Sequence, residues 1–356
     1  MVFLEALESM TSIALLGLVG FFLVRGQWVS AETEIFLPKL ITKVVLPPYL
    51  MSNIVGHFDR DRLLASLSSS LVPMASMITC YLLFRVLAVL VRVDKRHRGL
   101  FALAGTVSNT ILIGIPVNVA LFGESSLPYV LLYFFANTLF FWVFGAHVLA
   151  AEGTKKQQLR LSEKIRQFFS PPLCGVLLGI TLVLLGLPLP RVIAETCRYL
   201  GQLATPLALI FVGITLARVE WHKAHMGADI IWGLLLRLAI APLVLVVMLH
   251  VLTLPPIMAR VFVIQSALPG MAIISVMSAY YGADKEYASS LVALSTVLGM
   301  VSVPIWMSVI HTLSLWSKTI FSEAPCSIQG QTRYAHLAQT FFPCLAAQAQ
   351  KPASHL

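Results

Sequence analysis

Apolar segments of membrane-spanning length recur along the whole chain and are separated by short polar stretches. A helix needs about 20 apolar residues, at a rise of 1.5 Å each, to cross the hydrocarbon core of a bilayer. Ten segments meet this requirement, and they cover residues 3–24, 36–55, 67–91, 100–121, 127–150, 170–187, 195–217, 227–252, 257–280 and 287–312. The pattern therefore predicts an all-α integral membrane protein of about ten transmembrane helices.

The longest polar stretch before the C-terminal tail, 152–168, divides the ten spans five and five. We expect it to be a cytoplasmic linker between a first five-helix repeat at 1–151 and a second at 169–314. Residues 315–356 show no sustained periodicity and are rich in Ala, Gln, Ser and Pro, which predicts a disordered tail.

Lysine and arginine are distributed unevenly between the two sets of loops. With the N-terminus outside, the inward loops hold thirteen of these residues and the outward loops four. The positive-inside rule therefore favours an external N-terminus. Five helices in each half then give the two halves opposite orientations, which predicts an inverted repeat.

Similar interruptions occur at equivalent places in the two halves. When Gly123 is aligned with Gly282, each half shows a helix interrupted by Gly and Pro, followed by a short loop after a Gly. A second helix then follows that contains a few small polar residues, at 136–138 in the first half and 295–297 in the second. The second and seventh spans, the least apolar, also match in kind. Their predicted breaks lie at Pro47, Pro48 and Pro206.

Polar residues surround the predicted break in the fourth span. Ser108, Asn109 and Thr110 precede Gly114 and Pro116 in a span that contains no charged residue. A proline leaves the carbonyl four residues earlier without its helical donor, and polar groups at membrane depth must bond to protein or face a cavity. Paired broken helices resemble those of transporters that bind substrate near the midplane. Packing kinks and helix-to-helix hydrogen bonds are the alternative interpretation.

Further candidates lie in the fifth, eighth and ninth spans. Arg237 is the one cation near the middle of a span, where it could balance an anion, bond a carbonyl or extend to the interface. Half-helix N-termini could hold an anion through their N–H groups. The predicted substrate site contains Ser108, Asn109, Thr110, Gly114, Pro116, Asn137, Arg237, Leu268, Pro269 and Gly270.

Composition and motifs narrow the function classes. Hydrophobic residues make up 58% of the chain and charged residues 12%, about half the usual share. The net charge of +9 is explained by the loops, and no basic stripe with interleaved aromatics predicts nucleic-acid binding. No nucleophile motif, phosphate-binding glycine loop or metal-ligand spacing occurs, so we expect no enzyme, cofactor or metal.

Five stretches resemble the auxin efflux carrier family, which includes bacterial malonate and malate transporters. They are 40–54, 108–123, 213–221, 265–284 and 295–306. Plant members show a similar Asn-Thr-x-x-x-Gly-x-Pro pattern, here at 109–116, and a Leu-Pro pair, here Leu268 and Pro269. The resemblance covers about residues 1–314. The long hydrophilic loop of the best-known plant members is absent.

The resemblance implies the fold of the bile-acid sodium symporters. Spans 1, 2, 6 and 7 would form a scaffold that dimerises. Spans 3–5 and 8–10 would form a moving domain, with the broken fourth and ninth helices crossing. We therefore expect a homodimeric secondary carrier of small organic anions, working by an elevator mechanism in a bacterial inner membrane. A ligand-binding sensor of the same fold and a channel are the alternatives.

Overall fold

The computed structural model describes residues 2–154, 169–219, 227–252 and 254–316. These residues form helices and no β-strand. The helices are α1 (Val2–Arg25), α2 (Ala31–Leu40), α3 (Leu46–His57), α4 (Arg60–Ser69), α5 (Leu71–Leu90), α6 (Arg98–Thr106), α7 (Gly114–Phe122), α8 (Leu127–Phe140), α9 (Ala146–Glu152), α10 (Pro171–Leu184), α11 (Arg191–Gln202), α12 (Ala204–Ala217), α13 (Ala228–Leu235), α14 (Ala241–Leu249), α15 (Pro256–Ala267), α16 (Ile273–Tyr281) and α17 (Lys285–Trp316).

Seven helical stretches among the described residues are long and apolar enough to cross a membrane. They are Leu7–Arg25, Glu32–His57, Leu71–Leu90, Glu124–Glu152, Arg191–Ala217, Ala228–Leu249 and Lys285–Thr312. Two shorter apolar helices are α10 and α15. These helices agree with the predicted all-α, multi-pass membrane protein.

The fourth and ninth predicted spans are each two short helices. α6 and α7 make up the fourth, and α15 and α16 make up the ninth. Each second half is followed by a glycine with a positive φ, 73° at Gly123 after α7 and 74° at Gly282 after α16, although their ψ angles of −177° and 25° differ. Glycine suits these positions because a positive φ carries no steric penalty without a Cβ atom. These are the two glycines that the sequence alignment superposes.

Close backbone contacts join the first, second, sixth and seventh predicted spans. α1 packs along α12, and α3 packs along α10. A methyl group built on Gly213 would collide with the carbonyl of Gly17, and one built on Gly175 would collide with the backbone of Pro47. Glycine lets the helix backbones approach, as in small-residue contacts between membrane helices.

The prolines of the second and seventh predicted spans affect their helices differently. Pro47 and Pro48 lie in the first turn of α3, directly after a π-helical turn at Ile41–Val45. Helical structure thus continues from α2 to α3, because the wider turn accommodates residues that cannot donate a helical hydrogen bond. Pro206 lies in the first turn of α12, just after α11 ends at Gln202.

Two sequence predictions fall largely outside the described residues. Positions 155–168 of the predicted linker are among the residues that the structure leaves undescribed. The predicted disordered tail also lies outside the described residues from position 317 onward, whereas its first two positions belong to α17.

Candidate functional site

The two helix breaks lie against each other and pair through their main chains. Ser108 and Gly270 form an isolated antiparallel β-bridge. The N–H of Asn109 donates to the carbonyl of Pro269 at 2.9 Å, and the N–H of Met271 donates to the carbonyl of Val107 at 3.3 Å. We call this paired segment, residues 107–113 and 268–272, the crossing.

A side chain from a neighbouring helix holds each break. Asn137, fully buried in α8, accepts from the Ser108 N–H at 3.0 Å and donates to the Ser108 carbonyl at 3.0 Å. The Ser295 hydroxyl in α17 accepts from the Gly270 N–H at 3.0 Å. Main-chain groups at Ser108 and Gly270 therefore have partners although both residues lie outside the helices.

Arg237 lies beneath the crossing, in a π-helical turn at Leu236–Ile240, and is 2% exposed. Its guanidinium donates to four carbonyls and one hydroxyl, namely those of Leu268 (2.7 Å), Gly105 (3.0 Å), Thr106 (2.8 Å) and Ser266, and the Ser108 Oγ (2.7 Å). An arginine has five N–H donors, so all of them are engaged by protein atoms. Of the three possibilities that the sequence leaves open for Arg237, the structure shows carbonyl bonding.

The carbonyls that Arg237 binds belong to the C-terminal ends of α6 and α15. A helix C-terminus carries a partial charge of roughly −0.5. Two such ends approximately balance the single positive charge of the guanidinium. The buried cation is thus compensated within the protein, and little positive potential remains at Arg237 for an anion.

The N–H groups at the start of α7 are also engaged. Gly114 donates to the carbonyl of Asn109 at 3.1 Å, and Ile115 and Val117 donate to carbonyls of the same break at 3.3 and 3.0 Å. Pro116 has no N–H to offer. An anion at this helix end would therefore have to displace existing hydrogen bonds.

The side-chain amide of Asn109 differs from its neighbours. It is half-buried, and it makes no hydrogen bond to any described residue. Ser108 and Thr110, by contrast, are buried on either side of it. Asn109 is thus the predicted site residue whose side chain remains available to a ligand at the crossing.

Two buried amide oxygens next to Gly114 lack a protein donor. Asn118 donates to the Gly114 carbonyl at 2.8 Å, and Gln265 lies so close to Gly114 that an added methyl group would be 2.6 Å from its Oε1. Neither the Asn118 Oδ1 nor the Gln265 Oε1 has a hydrogen-bond partner. Neither residue was predicted from the sequence, although each is an amide side chain in a largely apolar span, which is a recognisable signal.

A large cavity of about 1110 Å³ lies apart from the crossing residues. Its walls come from α3, the C-terminal end of α10 and α11, together with Val119 of α7 and Glu124. Val119 is five residues beyond Gly114, about 8 Å along the helix. None of the predicted substrate-site residues lines this cavity.

Apolar residues line the seam between the crossing and the helices α1 and α12. Ile113, Val117 and Pro269 face Ile13 and Leu209 around a small space of about 30 Å³. Few polar groups would have to change partners if these surfaces moved past each other.

Among the described residues, no group of three or more His, Cys, Asp or Glu is placed to hold a metal ion.

Comparisons with known proteins point to one family. The model of the family described as "Membrane transport protein" matches residues 5–307. An "Uncharacterized transporter" of Methanothermobacter thermautotrophicus is 27% identical over 87% of this chain and 100% of its own length. "Uncharacterized transporter YfdV" of Escherichia coli is 23% identical over 83% and 95%. A "Putative malonate transporter" of Rhizobium meliloti is 26% identical over 56% and 63%.

Proposed function

The chain belongs to the membrane transport protein family, and we propose on that premise that it is a secondary carrier of small organic anions. Carboxylates such as malonate or malate, or auxin-like acids, are the proposed cargo. One similar protein is named for malonate transport, and the sequence resembles the auxin efflux carriers, so both carboxylate types belong in the test. No nucleotide-binding motif suggests coupling to ATP.

The observation that carries this proposal is the pairing of two broken helices at Ser108 and Gly270. Non-helical backbone at membrane depth is tolerated only inside protein or beside a cavity, and transporters use it to build substrate sites. Here Asn137, Ser295 and Arg237 bond main-chain groups of both breaks. Such a preformed unit can move as one body, which supports an elevator mechanism.

The proposed architecture is ten membrane helices in two inverted five-helix repeats. It consists of the seven long spans, the shorter α10, and the two broken helices α6–α7 and α15–α16. The positive φ angles of the aligned glycines Gly123 and Gly282 support the repeat. α1, α2–α3, α10 and α11–α12 would form the scaffold and the dimer interface. The proposed location is a bacterial inner membrane, and loop charge supports an external N-terminus.

We place the cargo at the crossing, where it meets the scaffold. The half-buried amide of Asn109 would be the principal side-chain donor. The proposed site keeps the predicted residues Ser108, Asn109, Thr110, Gly114, Pro116, Asn137, Arg237, Leu268, Pro269 and Gly270, with Asn137 and Arg237 acting through the backbone that they hold.

Transport assays in reconstituted liposomes test the proposal. Radiolabelled malonate, malate and indole-3-acetate would be supplied outside, without ATP, and protein-free liposomes would be the control. We expect saturable uptake and counterflow when unlabelled anion is trapped inside. Flux that does not saturate would indicate a channel. Binding without flux would indicate a sensor, and either result would refute the carrier.

A further inference from the structure

Two polar stripes face each other across the large cavity. In α11 the stripe continues into α12 and consists of Arg198, Gln202 and Thr205, which all line the cavity. Spacings of four and three residues place these side chains on one helix face. The opposite wall is the α3 stripe, which consists of Tyr49, Ser52, Asn53 and His57. A polar face on a membrane helix is expected where it meets water rather than lipid.

Arg198 is the charged member of the α11 stripe, and it has no carboxylate partner among the described residues. The neighbouring Arg191 is paired with Glu195 at 3.1 Å. The guanidinium of Arg198 instead lies 4.8 Å above the ring of Tyr199. It is exposed and belongs to the membrane-spanning stretch Arg191–Ala217.

The carboxylates that line the cavity do not neutralise Arg198. Asp59 is paired with Arg62 at 3.3 Å, outside the α11 stripe. Glu124 lies in the turn between α7 and α8 and forms no salt bridge with any residue that the structure describes. The Gln202 side chain likewise makes no hydrogen bond within the described ranges. A guanidinium and an amide, one helical turn apart, thus keep their donors available to the cavity.

We propose that Arg198 and Gln202 form a binding site for the carboxylate of the transported anion, where it enters through the large cavity. This inference rests on the proposed carrier function and names the residues that select a negative charge. The guanidinium fork matches a carboxylate bidentately, and Gln202 supplies a further donor on the same face. Arg237 cannot take this role without breaking its five existing hydrogen bonds.

The size and position of the cavity fit this role. Pockets for small ligands usually measure roughly 300–1,000 Å³, so a cavity of about 1110 Å³ admits a dicarboxylate together with water. Val119 brings α7 to its wall. The anion bound at Arg198 would therefore lie close to the helix that leads to the crossing.

Substitution of Arg198 tests the site through the dependence of the uptake rate on malonate concentration. Arg198→Gln should raise the KM for malonate uptake about tenfold or more, the effect of losing a charge-assisted hydrogen bond worth roughly 1.5 kcal/mol. Arg198→Lys should recover part of the loss because it restores the charge. The matched control is Arg191→Gln, which removes the same charge on the same helix but does not line the cavity, and it should leave the KM within about twofold.

A labelling experiment tests binding independently of flux. Ala194 lines the cavity one turn before Arg198. In a protein whose five cysteines are replaced, malonate should slow the reaction of Ala194→Cys with an impermeant thiol reagent. The same protection should be absent when Arg198→Gln is added. Size-exclusion chromatography of each variant shows that it is folded.

The outcomes separate this site from the proposed function. Saturable malonate flux with an unchanged KM in Arg198→Gln, or protection that persists in that variant, would overturn the Arg198 site and leave the carrier standing. Protection that depends on Arg198, without flux, would support the site and overturn the carrier. Absence of both flux and protection with malonate, malate and indole-3-acetate would overturn both.

Discussion

Replacing Arg237 tests whether this buried cation holds the broken helices together or binds the cargo. Arg237→Lys keeps the charge but offers three donors instead of five. At least two of the acceptors at the crossing would then lose their partner. A lysine ammonium also cannot reproduce the planar fork that reaches carbonyls of both α6 and α15.

The size of the effect follows from the acceptors left without donors. A buried acceptor without a donor costs roughly 1–3 kcal/mol, so two of them cost about 2–6 kcal/mol. Arg237→Met would remove the guanidinium from all five acceptors, of which the Ser108 hydroxyl would keep its hydrogen bond with Tyr133. That loss approaches the whole stability of a typical protein, about 5–15 kcal/mol, and we expect little folded Arg237→Met protein.

Thermal unfolding in detergent measures the loss of stability caused by replacing Arg237. Arg237→Lys should lower the Tm by about 5 °C or more, if roughly 2–4 °C corresponds to each kcal/mol. Arg198→Gln is the control, since the exposed Arg198 has no described salt bridge and its loss should leave the Tm nearly unchanged. An unchanged Tm in Arg237→Lys together with weaker malonate binding would refute the structural role and make Arg237 a cargo ligand.

Three further predictions concern the crossing and the topology. Asn109→Ala should weaken malonate affinity or flux about tenfold, about 1.4 kcal/mol, with an unchanged Tm; normal transport by well-inserted protein would place the site elsewhere. Asn137→Ala should lower the Tm because two hydrogen bonds to the Ser108 main chain are lost, roughly 1 kcal/mol each. The control Thr138→Val should not, since the buried Thr138 hydroxyl has no partner. In a cysteine-free background, Glu124→Cys should react with an impermeant reagent from outside only, and a cysteine within 152–168 from inside only; the reverse would contradict the orientation.

The sequence could predict the positions of the breaks but not what satisfies them. Gly114 and Pro116 interrupt the fourth span by local chemistry that a sequence displays. The ninth-span break is held at Gly270 by Ser295, a common residue 25 positions later, and nothing local distinguishes it. The contacts of Arg237 are equally hard to predict from the sequence, because its acceptors around residues 105–108 lie about 130 positions away along the chain.

Proline did not predict a break in every helix. At Pro47 and Pro48 the π-helical turn before α3 absorbs the lost donors, so helical structure continues through α2 and α3. Whether a proline ends a helix depends on packing, here the contact of Pro47 with Gly175. Arg198 made the seventh span less apolar, but the cavity it lines exists only because α3, α10 and α11 meet.

Arg237 and Arg198 have different proposed roles. Arg237 and the C-terminal ends of α6 and α15 form an approximately neutral group, because one positive charge meets two partial charges of about −0.5. Moving one elementary charge through a potential of 100 mV costs about 2.3 kcal/mol, whereas a neutral group moves at no such cost. In the proposed elevator motion the crossing would therefore add little to the charge that is translocated. The charge of the cargo would dominate the response to membrane potential, and Arg198, on the scaffold, would recognise that charge without moving with it.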